Sequence, residues 1–204
     1  MSENKNHWYD GKFYDIFVAP NQDTAFKNVL ELIGKDAVIL DVGCGTGRFT
    51  KHIIDRCKKL DAIDLSRRNI SIAERNFPSE KFENVKFHHT GVETFLSKTE
   101  TRYNFSLISY VIHEIGEKHR VNILKELAKK SDYIILVDYL IPRPKGMMNF
   151  LNELVEFFAG KEHYANFKTY EKNNGLHGLI KSAGLTLETE LINNPPTSHI
   201  VKVK

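Results

Sequence analysis

The segment Asp41-Val42-Gly43-Cys44-Gly45-Thr46-Gly47, followed 17 residues later by Asp64, is the part of this chain best equipped for chemistry. Glycine lets a backbone turn sharply and lets a ligand approach with no Cβ in the way. A helix after such a turn offers unpaired N–H groups and a partial positive charge. The spacing here is Gly-x-Gly-x-Gly. A dinucleotide fingerprint would need a glycine where Arg48 stands, and a triphosphate-cradling loop would need Gly-Lys-Ser or Gly-Lys-Thr; neither is present. Asp64 closes an apolar run, where a carboxylate can accept hydrogen bonds from both hydroxyls of a ribose. The plainer alternative for Asp64 is a charge at a helix N-terminus beside Ser66.

A second group of candidates could act on whatever binds beside that turn. His113, with Glu114 next to it, follows a buried run and could take a proton near neutral pH. Its alternative is to cap the next helix or fill space. His163 and Tyr164 offer another polar pair. Tyr9 and Tyr14, with Trp8, could wall an apolar pocket together with Tyr110, although such aromatics more often sit in a core. No metal-ligand spacing is visible among the nine histidines, His88-His89 included, so no metal is expected. Cys44 sits inside the glycine turn and reads as a packing residue. Asn194-Pro195-Pro196 lies in a terminal turn with Thr197 behind it, and reads as turn rather than chemistry.

The elements that must position these residues alternate short apolar runs with amphipathic ones, the pattern of a parallel sheet with crossover helices. Helices are predicted over 23–33, 48–57, 66–76, 117–130 and 176–183. Strands are predicted over 37–42, 60–64, 85–88, 105–110 and 133–137, then over 185–192 and 199–203 as an antiparallel hairpin. Residues 140–174 break the alternation. They hold an apolar helix candidate, Met147 to Ala159, and an aromatic tail with His163, Tyr164, Phe167 and Tyr170. Ligands of such sheets bind outside the carboxyl ends of the strands, so this insertion could cover the site or simply pack. The whole reads as one domain, 1–204, with a helical cap (1–34), a ligand-binding core (37–138), a covering insertion (140–174) and a terminal helix and hairpin (176–204).

At 204 residues the chain can bury a full core, and 41% apolar with 27% charged residues is ordinary for a globular protein. A net charge of +3 is too small to argue for nucleic acid or an anionic membrane. The two cysteines form no disulfide framework. The polar N-terminus lacks a signal core, and no run is long enough to span a bilayer, so a cytoplasmic location without membrane attachment is expected.

Three segments together resemble the class I S-adenosylmethionine-dependent methyltransferase family over about residues 37–137. Ile39 to Gly47 is similar to its first motif. Leu60-Asp61-Ala62-Ile63-Asp64-Leu65-Ser66 is similar to its second-strand motif. Tyr103 to Ser109, followed by Val111 to Ile115, is similar to its fourth-strand motif. The resemblance implies a Rossmann-like, seven-stranded, mostly parallel α/β sheet with helices on both faces and an antiparallel C-terminal hairpin strand. It implies S-adenosylmethionine as cofactor and S-adenosylhomocysteine as product. Gly43, Cys44, Gly45 and Gly47 would line the amino-acid part, with Asp41 holding the turn or the ammonium. Asp64 would bind the ribose, Leu65 would pack on the adenine, and Ser109 would stand beside the methionine moiety. Relatives often carry Gly-Asp after the third strand. Here the segment is Thr90-Gly91-Val92-Glu93, so Val92 would offer its backbone N–H to the adenine, and Glu93 would either replace the acid there or be solvated. The expected activity is methyl transfer to a small-molecule acceptor by a monomer or homodimer with no nucleic-acid partner. The alternatives are an RNA or protein methyltransferase, or a protein that binds the cofactor without turnover.

Overall fold

The computed structural model describes residues 19–144 and 160–204. Tyr9, Tyr14, Trp8 and the helix candidate Met147 to Ala159 lie outside the described residues. The elements run α1 (Ala19–Leu32), β1 (Ala37–Val42), α2 (Thr50–Ile53), β2 (Cys57–Asp64), α3 (Arg67–Asn76), β3 (Val85–His89), α4 (Val92–Lys98), β4 (Tyr103–Ser109), α5 (Glu117–Lys130), β5 (Ser131–Tyr139), α6 (Lys161–Lys172), α7 (Gly175–Ala183), β6 (Leu187–Ile192) and β7 (Ser198–Val203). The seven strands form one sheet in the order β3-β2-β1-β4-β5-β7-β6. β1 to β5 are parallel, and β7 runs against both β5 and β6. The order reverses between β1 and β4, so the crevice at their carboxyl ends is where a ligand of this fold belongs.

The inner strands are apolar on both sides because helices cover both faces. Alternate residues of one strand therefore enter two separate cores. Leu40, Val42, Ile63, Ile108, Leu136 and Val201 join the core beneath α5, α6 and α7. Ile39, Ala62, Leu107, Ile135 and Ile200 join the one beneath α1, α2 and α3.

Several boundaries differ from the sequence reading, each for a local reason. The helix expected over 48–57 is only α2, followed by a 3-10 turn at Ile54–Arg56. Asn84 Nδ2 donates to the carbonyls of Ile54 and Cys57, at 3.2 and 3.0 Å, and Cys57 is already in register with Ala37. The chain thus leaves the helix to start β2 three residues earlier than expected. β4 begins at Tyr103, whose hydroxyl donates to Asp61 Oδ2 at 2.9 Å, and it stops before Tyr110, which has φ +56°. β5 extends to Ser131 and Tyr139, and its first serine meets Ser106 Oγ at 2.6 Å. α4 was not expected: at seven residues it is too short to show a period, yet Leu96 is buried beneath it. The aromatic tail of the insertion is α6, and Phe167 and Tyr170 lie fully inside the core. Burying two such side chains stabilises this docking by about 1.5–3 kcal/mol each.

Other boundaries follow the sequence. Ser66 Oγ accepts from Asn69 N–H at 3.2 Å and caps α3. α5 spans the expected residues, and α7 ends at Gly184 in the left-handed conformation. Among the described residues, no helix is long and apolar enough to cross a membrane.

Candidate active site

The glycine turn leaves β1 at the point where the strand order reverses. The N–H groups of Gly43 and Cys44 both donate to Ile63 O, at 2.8 and 3.1 Å, and Gly47 N–H donates to Cys44 O at 3.0 Å. Gly43, Gly45 and Gly47 have φ values of +76°, +55° and +80°, in the region glycine enters without steric cost. Two of them are also packed tightly. A Cβ on Gly43 would stand 2.4 Å from Val111 Cγ2, and one on Gly47 would stand 2.8 Å from the Phe77 ring. Among the described residues beyond its chain neighbours, a Cβ on Gly45 would meet no atom within 4 Å, so a ligand could sit against that glycine.

Asp64 ends β2 beside the turn. Its Oδ2 accepts from Gly45 N–H at 2.9 Å and its Oδ1 accepts from Ser66 N–H at 2.7 Å. A carboxylate has about four acceptor sites, and these two backbone donors fix the orientation of this one beside the turn. Leu65 follows, and a Cβ on Gly91 would lie 3.4 Å from its Cδ2, so the carboxyl ends of β2 and β3 close on each other here. Val92 is half-buried in the first turn of α4; Glu93, beside it, is exposed.

Among the described residues, two polar atoms in this crevice are buried without hydrogen-bond partners: Asp41 Oδ2 and Ser109 Oγ, at the carboxyl ends of β1 and β4. An orphaned buried polar group costs about 1–3 kcal/mol, which a polar ligand with matching groups recovers. Burial first, and the Asp64 charge second, push the Asp41 carboxyl up to about 7. A cationic ligand would restore its charge. The same burial, with Asp41 and Asp64 nearby, pushes the Cys44 thiol well up, so it is an unreactive packing residue. These features fit S-adenosylmethionine: an ammonium for Asp41, two ribose hydroxyls for Asp64, an apolar wall at Leu65 and Val92 for the adenine.

His113 lies beyond β4, buried under α6. Its Nδ1 is 2.7 Å from Asp138 Oδ1, and its backbone N–H donates to Asp138 Oδ2 at 3.2 Å. An ionised carboxylate only accepts, so Nδ1 carries the proton in this pair and Nε2 is the basic nitrogen. The imidazole is boxed by the rings of Tyr139, His163, Phe167 and Tyr170, with centroids 4.9 to 6.3 Å away. Arg120 pins this box. It is 1% exposed and donates to the carbonyls of Ile115, His113 and Asn166.

The structure therefore gathers Asp41, the turn glycines, Asp64, Leu65, Val92 and Ser109 along one crevice. It gathers His113 and His163 in a box beside it, with Tyr164 partly buried at its edge against Phe167. Tyr110 is turned elsewhere: its hydroxyl meets Ser198 Oγ at 2.6 Å, and its ring packs against Phe26 and Tyr139. Sequence reasoning missed Asp138. The available signal was an acid at the carboxyl end of an otherwise apolar strand, the position that served to single out Asp64. It also missed the Asp23–Arg48 pair, 2.9 and 3.2 Å, which ties α1 to the glycine turn. The depression formed by Gly34 to Ala37, Asn104, Phe105, Asp132 and Tyr133 is at the amino ends of the strands, the wrong end for a ligand of this fold.

A family model described as a methyltransferase domain matches residues 39–130. The chain is 30% identical over 109 residues to the probable cobalt-precorrin-6B C(15)-methyltransferase (decarboxylating) of Methanocaldococcus jannaschii, spanning 53% of this chain and 55% of that protein. It is 30% identical over 123 residues to the like-named protein of Methanococcus vannielii, spanning 56% of this chain and 68% of that protein. A third match, 35% over 66 residues, is to the tRNA/tmRNA (uracil-C(5))-methyltransferase of Sulfurimonas denitrificans and spans 32% of this chain and 18% of that protein. The chain thus spans about half the length of the first of these relatives and under a fifth of the third. Among solved structures, N-methyltransferase NodS from Bradyrhizobium japonicum, in complex with S-adenosyl-L-homocysteine, shares the fold. Its TM-score is 0.67, over 99% of this chain and 93% of that one, at 13% identity. With the Asp41-to-Gly47 turn and Asp64 inside the matched segment, this chain belongs to the class I S-adenosylmethionine-dependent methyltransferase family.

Proposed function

We propose that this chain transfers a methyl group from S-adenosylmethionine to a small-molecule acceptor. The observation that carries the reading is the pair of orphaned buried atoms, Asp41 Oδ2 and Ser109 Oγ, flanking a glycine turn that Asp64 braces. When bound, the cofactor supplies an electrophilic methyl group on sulfur. The chain's own residues then bind and orient. Asp41 faces the ammonium, the turn glycines admit the amino-acid part, and Asp64 fixes the ribose. Leu65 and Val92 flank the adenine, with Glu93 at the rim. Holding donor and acceptor in line accounts for much of the rate in such a reaction.

The acceptor side is the box around His113. An apolar, aromatic lining with a few polar groups suits a small molecule rather than a polynucleotide. The net charge of +3 gives the chain little general attraction for a polynucleotide. Two relatives are named for methylation of a precorrin, which supports this reading; the relative named for tRNA supports the rival. His113 Nε2 takes the proton an acceptor loses, and Asp138 holds the imidazole in the tautomer that allows it. A second reading is favoured by one observation: His113 is 2% exposed, so the pair can instead be a sealed strut that fixes α6 against β5. Catalysis through His113 then needs α6 to open.

The test incubates the chain with methyl-labelled S-adenosylmethionine and separate small-molecule, total-RNA and protein fractions of a cell extract. Label entering only the small-molecule fraction supports the proposal. Label entering RNA or protein replaces it with the rival, and no label in any fraction, despite tight donor binding, leaves a binding protein without turnover.

A further inference from the structure

Beyond the donor site, the fold brings together three side chains whose sequence spacing suggests nothing. His177 on α7, Glu190 on β6 and His199 on β7 converge on one point. Glu190 Oε1 lies 2.8 Å from His177 Nε2 and 2.7 Å from His199 Nε2. The two imidazole rings are 4.8 Å apart between centroids, and one donor atom from each of the three residues lies within 4.8 Å of the others. We propose that these residues bind a divalent transition-metal ion of the Zn²⁺ class, with water completing its shell.

The donor set selects the class of ion. Two imidazole nitrogens and one carboxylate oxygen are what Zn²⁺ and its first-row neighbours accept. Mg²⁺ and Ca²⁺ want shells of oxygen, and one carboxylate does not supply them. Geometry fits with a small adjustment. Tetrahedral Zn²⁺ with bonds of about 2.0–2.1 Å spaces its donor atoms about 3.3 Å apart, so the carboxylate must draw back from the two nitrogens by roughly half an ångström. Glu190 and His177 can do so, with side chains 37% and 43% exposed, while His199, 1% exposed, is the fixed point. Exposure of the first two also gives a metal-bound water its place.

The backbone beneath is rigid. A Cβ on Gly178, next to His177, would stand 1.7 Å from the Asn173 carbonyl oxygen, so the start of α7 is pressed onto the loop before it. His199 is held between strands, in register with Ile192 on β6 and with Asp138 on β5. Directly opposed residues of an antiparallel pair share a face, so the ion would sit on the same side of the sheet as the acid that holds His113. An ion here would staple α7 to both strands of the terminal hairpin. Without it, Glu190 simply bridges two imidazoles.

The test uses the full chain without a histidine tag, stripped by chelator and dialysed. Zn²⁺ is titrated by calorimetry and Co²⁺ by visible absorption. Measurements cover the wild type, His177→Ala, Glu190→Gln, and His163→Ala as a control for the other His/Glu/His group at His113, Glu114 and His163. His177 and Glu190 are exposed enough that their variants should fold, which circular dichroism checks. The expected result is one Zn²⁺ per chain, with affinity falling at least about 100-fold in His177→Ala and Glu190→Gln, as ligand loss should exceed outer-shell changes. Affinity should be unchanged in His163→Ala, and Co²⁺ should give a tetrahedral spectrum in the wild type and His163→Ala but in neither ligand variant. No binding by the wild type, binding that survives both ligand variants, or binding abolished by His163→Ala would overturn the proposal. S-adenosylmethionine binding, measured in parallel, is unaffected by either outcome.

Discussion

Replacing Asp64 by alanine should abolish useful cofactor binding while leaving a folded chain. The carboxylate receives Gly45 N–H at 2.9 Å on one oxygen and Ser66 N–H at 2.7 Å on the other, which orients it beside the turn, where the proposed ribose would give it two hydroxyl donors. Hydrogen bonds to a charged group contribute about 1.5–3 kcal/mol each. Losing two therefore weakens binding by about 3–6 kcal/mol, or about 10²–10⁴-fold in Kd. The same change releases two backbone donors, at a stability cost of about 1–3 kcal/mol, and a chain of this size loses about 2–4 °C in Tm per kcal/mol. Asp64→Asn sharpens the test: its NH₂ must face one of the two backbone N–H groups, so the turn is perturbed although the shape is kept. Calorimetry with S-adenosylmethionine, S-adenosylhomocysteine and NAD, run beside circular dichroism, reads both effects. Wild-type binding of the two sulfur ligands but not NAD is expected. Binding by a folded Asp64→Ala chain within threefold of wild type would refute the ribose role, and failure of both sulfur ligands on folded wild type would refute the cofactor site.

The Asp41 carboxyl, raised by burial from 3.8 to about 7, makes the cofactor-free chain lose stability as pH rises. Between those values the folded state holds a proton that the unfolded state has released, so the contribution is present below about pH 4 and gone above about pH 7. Melting temperatures across that window should fall for the wild type and stay level for Asp41→Asn, whereas donor affinity should rise with pH only in the wild type; equal slopes in both proteins would defeat this account. Asp61 acts oppositely and elsewhere: burial alone would raise it, but His88, Lys59 and Tyr103 donate to it and hold it at about 2, so its contribution is lost as pH falls from about 4 to about 2. Asp61→Asn should flatten acid melting curves in that range. Gly43→Ala should destabilise by about 1–3 kcal/mol through its contact with Val111, and Val111→Ala should recover part of that loss; Gly45→Ala, with no such contact, should keep more of the stability yet lose donor affinity. Once an acceptor is known, His113→Gln and Asp138→Asn should each lower kcat by about 10²–10⁴-fold with donor Kd unchanged if Nε2 is a base, and should lower only Tm if the pair is a strut.

The sheet and most of the donor crevice were legible because their signals are local. Gly43, Gly45, Gly47 and Asp64 belong to short segments in which strand, turn and helix follow one another directly, and Ser66 caps α3 within two residues of Asp64. Residues that work through distant partners were hidden. Asp138 meets His113 only because β4 and β5 are neighbours, and His177, Glu190 and His199 meet only after α7 docks on the hairpin. Tyr110 was expected to help wall the acceptor pocket, at the end of the strand predicted over 105–110. Its backbone turns into positive φ and sends the hydroxyl to Ser198, which no periodicity could announce. The early exit from α2 likewise depends on Asn84, a side chain contributed by the segment after α3.

The two separate cores on either side of the sheet bear on how such a chain can change over generations. Cys44, Phe49 and Ile53, behind the donor crevice, pack in one; Ile112, Tyr139, Phe167 and Tyr170, around His113, pack in the other. The backbone of the sheet separates most of the two, with Tyr110 and Tyr139 meeting across it, and substitutions that share no neighbours combine additively. Residues around His113 that share no neighbour with the glycine turn can therefore drift while the packing of that turn is kept.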